Sequence, residues 1–260
     1  MDNNKLYSYD GTFYGLLTAI YEIYYSNNIP INISSNTSQG SPQMNFLNEN
    51  KCIVTNYEKA LKVSECIKNK ISIRALDNSY YGFLSNIKGK EMVIFNYIKL
   101  GFKLGSGIDV YLYDENVMAL HKIVKKVSKE IHLMTGFIRF TYKNNFYYAS
   151  YEPDHNITEL LAPWFAYRFA DQNFIIHDVS RNIAAVYNTK EWIIMSFDNS
   201  DLKKLNVVYN EEVLPSNNMC YEKLWKEYFI NTSIAGRKNE SHQKSLMPKR
   251  YWKNMLETEK

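Results

Sequence analysis

Cysteine is scarce, with only Cys52, Cys66 and Cys220 among 260 residues. Three thiols cannot build a dense disulfide framework, and no CxxC pair is present. Cys52 and Cys66 have no neighbouring His pair, and there is no close Cys triplet, so neither a zinc centre nor an iron–sulfur cluster is expected. Long apolar runs are also missing: nothing approaches the ~20 residues of a membrane span. The opening MDNNKLYSYDG lacks the basic and apolar regions of a secretory signal peptide. These absences together predict a soluble cytoplasmic protein with reduced thiols and no membrane partner. Arginine is rare too, six residues against 25 Lys and alongside 29 Asn. That bias points to an A·T-rich genome and says nothing about function. The phosphate-loop, HExxH, GxSxG and dinucleotide-binding signatures are absent, so no cofactor or metal is expected on this chain.

What is present is a chain 45% hydrophobic and 15% aromatic, enough for a substantial core. Its net charge of +4 is unevenly placed. Residues 221–260 carry nine Lys/Arg and five Asp/Glu, whereas residues 1–220 balance 22 against 22.

Periodicity predicts an α+β fold. A short strand at Leu6–Tyr9 turns at Asp10-Gly11, and Thr12 is placed to cap a helix carrying Phe13, Leu16, Leu17, Ile20 and Ile23. Polar residues 27–40 read as a loop. Helical stripes follow at Ala60/Leu61/Val63/Ile67, at Met92/Val93/Phe95/Ile98/Leu100 and along Glu115–Met134, with a break at Gly101–Gly107. Alternation then predicts strands at 137–142 and 146–151 around a turn at Lys143-Asn144-Asn145. After a helix with Leu160, Leu161, Phe165 and Phe169 come strands at 173–178, 183–187 and 191–197. The order strand-strand-helix-strand-strand-strand suggests an antiparallel sheet with a helix on one face. Three regions result: a mainly helical 1–135 with a short strand, the sheet and helix of 136–210, and a basic, aromatic helical tail, 211–260, packed on the body. One compact domain would accommodate all three.

Candidate chemistry centres on Glu152, Asp154 and His155, between a strand and a helix. A carboxylate beside His155 could tune the imidazole for general acid/base catalysis. Equally, Asp154 or Asn156 could cap the next helix, since Asn156-x-x-Glu159 matches a capping box. His177-Asp178 ends another strand and could face this cluster or be structural. His132 reads as a core histidine on the long helix. Arg139 and Arg168 sit in aromatic stretches, suited either to phosphate binding or to an ion pair with Glu152 or Asp178. The tail interleaves cations and rings: Trp225, Tyr228 and Phe229, then Arg237-Lys238, then Lys249-Arg250-Tyr251-Trp252-Lys253. Such a pattern suits a phosphate backbone with stacked bases, or an amphipathic helix docked on the body.

These stretches together resemble the bacterial "probable DNA metabolism protein" family. The resemblance rests on Tyr9-Asp10-Gly11-Thr12-Phe13 with Gly15, on His132-x-Met134-x-x-Phe137-x-Arg139-Phe140 and on Glu152-Pro153-x-His155-x-Ile157. It continues through Pro163-x-Phe165-x-x-Arg168-Phe169 and Leu224-Trp225-x-x-Tyr228, then Arg237 and Met247-Pro248-x-Arg250-Tyr251-Trp252. Members of that family are encoded beside a DNA-modification or repair radical-SAM protein, or fused to a uracil-DNA-glycosylase-like domain. No stretch matching the latter follows the MPxRYW segment, so base excision is not expected. The resemblance implies a DNA-metabolism or repair accessory protein with DNA or RNA and a radical-SAM protein as partners. Arg139, Arg168, Arg237, Lys238, Lys249 and Arg250 would contact phosphates while Tyr251 and Trp252 stack or pack. The alternatives are an enzyme acting on a nucleotide or nucleic-acid base through His155, with Glu152 or Asp154 as its partner, and a protein-binding scaffold without nucleic-acid affinity.

Overall fold

A computed structural model describes residues 4–26, 29–36, 50–143, 146–198, 200–201, 216–237 and 239–255. The chain divides into two compact units, Met1–Ser128 and Lys129–Lys260. The residues Asn144-Asn145 of the expected turn, positions 27–28 and 37–40 of the expected loop, and Lys238 lie outside the described residues.

In the first unit, β1 (Asn4–Tyr9) is the central strand, flanked by β2 (Ile29–Ser35) and β3 (Asn50–Cys52). Both neighbours run parallel to it. Parallel strands need a crossover, and α1 (Phe13–Ser26) supplies the one between β1 and β2. Thr12 caps α1 as expected: its Oγ1 accepts from the Gly15 N–H at 2.9 Å. Asp10 accepts from the Thr12 N–H and hydroxyl and from the Thr55 hydroxyl, closing the loop. A Cβ on Gly15 would lie 2.1 Å from Asp10 Oδ1, so the motif's glycine is a packing requirement. Helices α2 (Tyr57–Lys70), α3 (Ile73–Leu84) and α4 (Lys90–Leu104) follow, then a 3-10 turn at Gly105–Val110. The unit's core joins Leu16, Leu17 and Ile20 of α1 to Ile67 of α2, Ile94 and Ile98 of α4, and Val117 and Leu120. The expected break falls at Gly105 (φ 63°), and Gly101 stays inside α4, where its missing side chain leaves room for Ile71.

Helix α5 (Glu115–Phe137) runs on past its predicted end, so of the expected strand only Thr141 and Tyr142 are extended, in β4 (Thr141–Lys143), which takes in Lys143 of the expected turn. The second unit continues with β5 (Phe146–Tyr151), α6 (Thr158–Arg168), β6 (Phe174–Asp178), β7 (Ile183–Tyr187) and β8 (Trp192–Ser196). Then come α7 (Ser216–Thr232), α8 (Glu240–Leu246) and a 3-10 turn at Lys249–Asn254. The sheet order is β4-β5-β6-β7-β8. It is mixed, which corrects the antiparallel expectation: β5 and β6 are parallel because α6 carries the chain back across the sheet between them. The remaining pairs are antiparallel. α6 contributes Phe165 to a ring cluster with Phe140, Phe169 and Phe174, at centroid separations of 4.8–6.4 Å. Phe165 and Phe174 are buried, which is worth about 1.5–3 kcal/mol for each ring. The predicted capping box is not used: Ile157 occupies the N-cap of α6 with no side-chain cap bond.

Candidate functional site

On the buried stripe of α5, Glu130 falls between Val127 and Met134, three and four residues away, so its carboxylate points inward. It is 4% exposed. Three donors converge on it: the backbone N–H of Asp154 (2.7 Å), that of His155 (2.8 Å) and the Tyr251 hydroxyl (2.6 Å). Burial first, then the Glu130 carboxylate, push the Tyr251 phenol well above its ordinary 10.0, so it acts as a neutral donor. One buried carboxylate thereby holds the EPDH loop and the MPxRYW segment together.

Two surface ion pairs reinforce the same junction. Arg250 Nη2 lies 2.8 Å from Asp154 Oδ2 and donates to the Tyr251 oxygen at 3.1 Å, with its guanidinium 4.6 Å from the Tyr251 ring centre. Lys253 pairs with Glu152. The Trp252 indole N–H donates to the Met247 carbonyl at 2.8 Å, closing the segment on itself. A small depression beside this junction is lined by Met134, Phe137, Ile138, Ser150, Glu152 and Asn254, among others.

Arg181 grips the loop through its carbonyls. It donates to Pro153 O (3.1 Å) and Asp154 O (2.7 Å) while pairing with Asp178 at 2.8 Å. Asp178 is fully buried and also accepts from the Ser180 and Arg181 N–H groups. Burial raises its pKa above the ordinary carboxylate value, and Arg181 opposes that rise. Successive side chains of a strand point to opposite faces, so His177 turns away from Asp178. Its Nδ1 lies 2.9 Å from the Tyr148 hydroxyl and its ring stacks edge-on against Phe197.

The expected trio of Glu152, Asp154 and His155 is therefore brought together, but in a tied loop. Asp154 and Glu152 are engaged by Arg250 and Lys253, and His155 is 6% exposed. His177 contacts Tyr148 and Phe197 on its own face. His132 is exposed, correcting its placement in the core. Of the two roles left open for Tyr251, the structure shows packing, because the ring is 5% exposed and abuts Phe137. Glu152 and Asp178 take their cations from Lys253 and Arg181. Sequence reasoning overlooked Glu130 and Arg181. A glutamate at i+3 from Val127 and i−4 from Met134 was the available signal for the first.

Arg139 and Arg168 sit differently. Arg139 donates to the Gly136 carbonyl at the end of α5 (2.6 Å) and lies over Trp225, 5.7 Å from its ring centre. Arg168 is exposed and lies over Trp164 of its own helix at 5.3 Å. Both pairs border the phenylalanine cluster, since Arg139 precedes Phe140 and Trp164 meets Phe165 edge-on at 4.7 Å. Trp164 and Trp225 are about two-fifths exposed, and Tyr167 and Tyr228 more so. Arg237 and Lys249 are exposed, Lys249 over the Trp252 ring. Among the described residues no group of three or more His, Cys, Asp and Glu is placed to hold a metal ion, and no helix is long and apolar enough to cross a membrane.

The second unit is thus a mixed sheet whose loop and C-terminal segment are locked by buried charge, with Arg–Trp pairs on its outside. The chain belongs to DUF4130, a domain of unknown function, whose family model matches residues 88–257. The matched region contains the Glu130 junction and both Arg–Trp pairs, while the YDGTF motif lies outside it. No curated protein matches the chain.

Proposed function

We propose that this protein binds nucleic acid through the Arg139–Trp225 and Arg168–Trp164 pairs, as an accessory factor in DNA metabolism or repair. The carrying observation is the stacking of two scarce arginines on partly exposed indoles that border one phenylalanine cluster. The exposed Arg168 guanidinium on its indole presents planar donors to a phosphate, Arg139, with its Nη1 on the Gly136 carbonyl, adds positive charge, and the partly exposed rings offer a surface on which bases stack. Arg237 and Lys249 are further exposed cations of the same unit. Arg250 is held instead by Asp154 and Tyr251, which makes it a brace of the fold. The reading assigns no cofactor to this chain. The family resemblance extends it to a radical-SAM DNA-modification or repair protein as working partner, which co-purification of the two proteins tests.

Anisotropy titrations of a labelled DNA oligonucleotide at several salt concentrations test the binding reading. Arg139→Ala with Arg168→Ala should weaken binding and flatten the log–log salt dependence by roughly 1.4 to 1.8, at ~0.7–0.9 per phosphate contact. Unchanged affinity and slope in the folded double variant would remove this assignment. Catalysis through His155 has no comparable support, because that side chain is nearly buried and its neighbouring carboxylates are paired.

A further inference from the structure

The five-stranded sheet ends at β8, whose only strand neighbour among the described residues is β7. Natural sheets usually blunt such an edge with proline, a bulge or a central charge. Here the edge reads Trp192-Ile193-Ile194-Met195-Ser196, and its register with β7 is unbroken. Ile193, Ile194 and Met195 are 55%, 38% and 42% exposed, so apolar side chains emerge on both sheet faces.

The edge is also rigid and correctly turned out. Asn188 Oδ1 accepts from the Lys190 and Glu191 N–H groups, which fixes the β7–β8 turn. At the two ends of the pair, the Asn188 N–H donates to the Glu191 carbonyl and the Phe197 N–H to the Asn182 carbonyl. Residues 191, 193, 195 and 197 therefore direct their backbone groups toward β7, and by alternation Trp192, Ile194 and Ser196 direct theirs outward.

We infer that β8 pairs antiparallel with β8 of a second copy of this chain, with Ile194 on the two-fold axis. That register makes Ile194 face its own equivalent as a hydrogen-bonded pair, and Trp192 face the partner's Ser196 as another. Ile193 then lies against the partner's Met195 on one sheet face, covering two exposed apolar side chains in each copy. At the ends, Lys190 reaches the level of the partner's Asp198, so opposite charges meet twice, while Glu191 falls opposite the partner's Phe197. A two-fold contact requires such self-complementarity. The result is one continuous sheet of ten strands across two chains.

Sedimentation velocity of the full chain over a concentration series tests this. The expected mass rises toward twice the 30.6 kDa of one chain. Ile193→Lys or Met195→Glu alone should shift the equilibrium to monomer at least tenfold, and combining them should restore the dimer, because each new cation meets the partner's new anion. Hydrogen exchange across residues 192–196 of the unaltered protein should slow as concentration rises. A single-chain mass throughout the series overturns the proposal, as does a dimer indifferent to both single substitutions.

Discussion

Each unit buries a glutamate against a tyrosine hydroxyl. In the first, the Tyr9 hydroxyl reaches Glu91 at 3.3 Å, and the surrounding core is a large hydrocarbon cluster. In the second, Glu130 takes a tyrosine at 2.6 Å and two backbone N–H groups besides, near a second buried carboxylate, Asp178, and two buried histidines. The Glu91 contact joins a strand to a helix that apolar packing already holds. The Glu130 contacts take up two backbone N–H groups of the EPDH loop and tie that loop to the C-terminal segment through the Tyr251 hydroxyl. Buried charge is costly unless its hydrogen bonds are complete, and Glu130 draws three donors onto one carboxylate.

The sharpest way to break this comparison is to remove each carboxylate in turn. Glu130→Ala leaves two N–H groups and a phenol unsatisfied and should cost about 3 kcal/mol or more, whereas Glu91→Ala should cost about 1 kcal/mol. Urea denaturation, with hydrogen exchange assigning the loss to a unit, measures both. Equal losses would erase the distinction.

A smaller effect is pH-dependent. Burial holds the His177 imidazole below its ordinary 6.5. The unfolded chain therefore takes up the proton first as pH falls. Stability from this residue is full above about pH 6.5 and declines below it, by about 1.4 kcal/mol per pH unit until the folded-state pKa is reached. His177→Gln should flatten the denaturation midpoint against pH in that window. An identical slope in the variant would assign the acid sensitivity elsewhere. Smallest of all is Asp154→Ala. Its pair with Arg250 is about half exposed, so the loss should be about 0.5 kcal/mol, read as a slight shift in the urea midpoint.

Much of the second unit was legible because its elements carry local patterns. The strands read at Phe146–Tyr151 and Ile183–Tyr187 and the stripe along α5 correspond to observed elements. Strand direction was not legible, because pairing β5 with β6 depends on where α6 returns the chain. β2 escaped notice because its exposed polar residues read as loop, and its pattern is interrupted by a register shift at Lys5/Leu6 of β1. At the candidate site, the sequence placed Glu152, Asp154 and His155 together. It could not show that Glu130 takes the loop's backbone donors, since that carboxylate lies 24 residues upstream of Asp154.

The span of the Glu130 junction has a consequence for synthesis. Tyr251 lies 121 residues beyond the glutamate that it contacts. At elongation rates of ~5–20 residues per second, roughly 6 to 25 seconds separate the two on the ribosome. Throughout that interval the carboxylate lacks one of its donors, and the EPDH loop lacks Arg250 and Lys253. The Tyr9–Glu91 contact spans 82 residues and needs nothing beyond Glu91. The nascent chain should thus complete its first unit while the second waits, open and protease-sensitive, for the tyrosine that closes it.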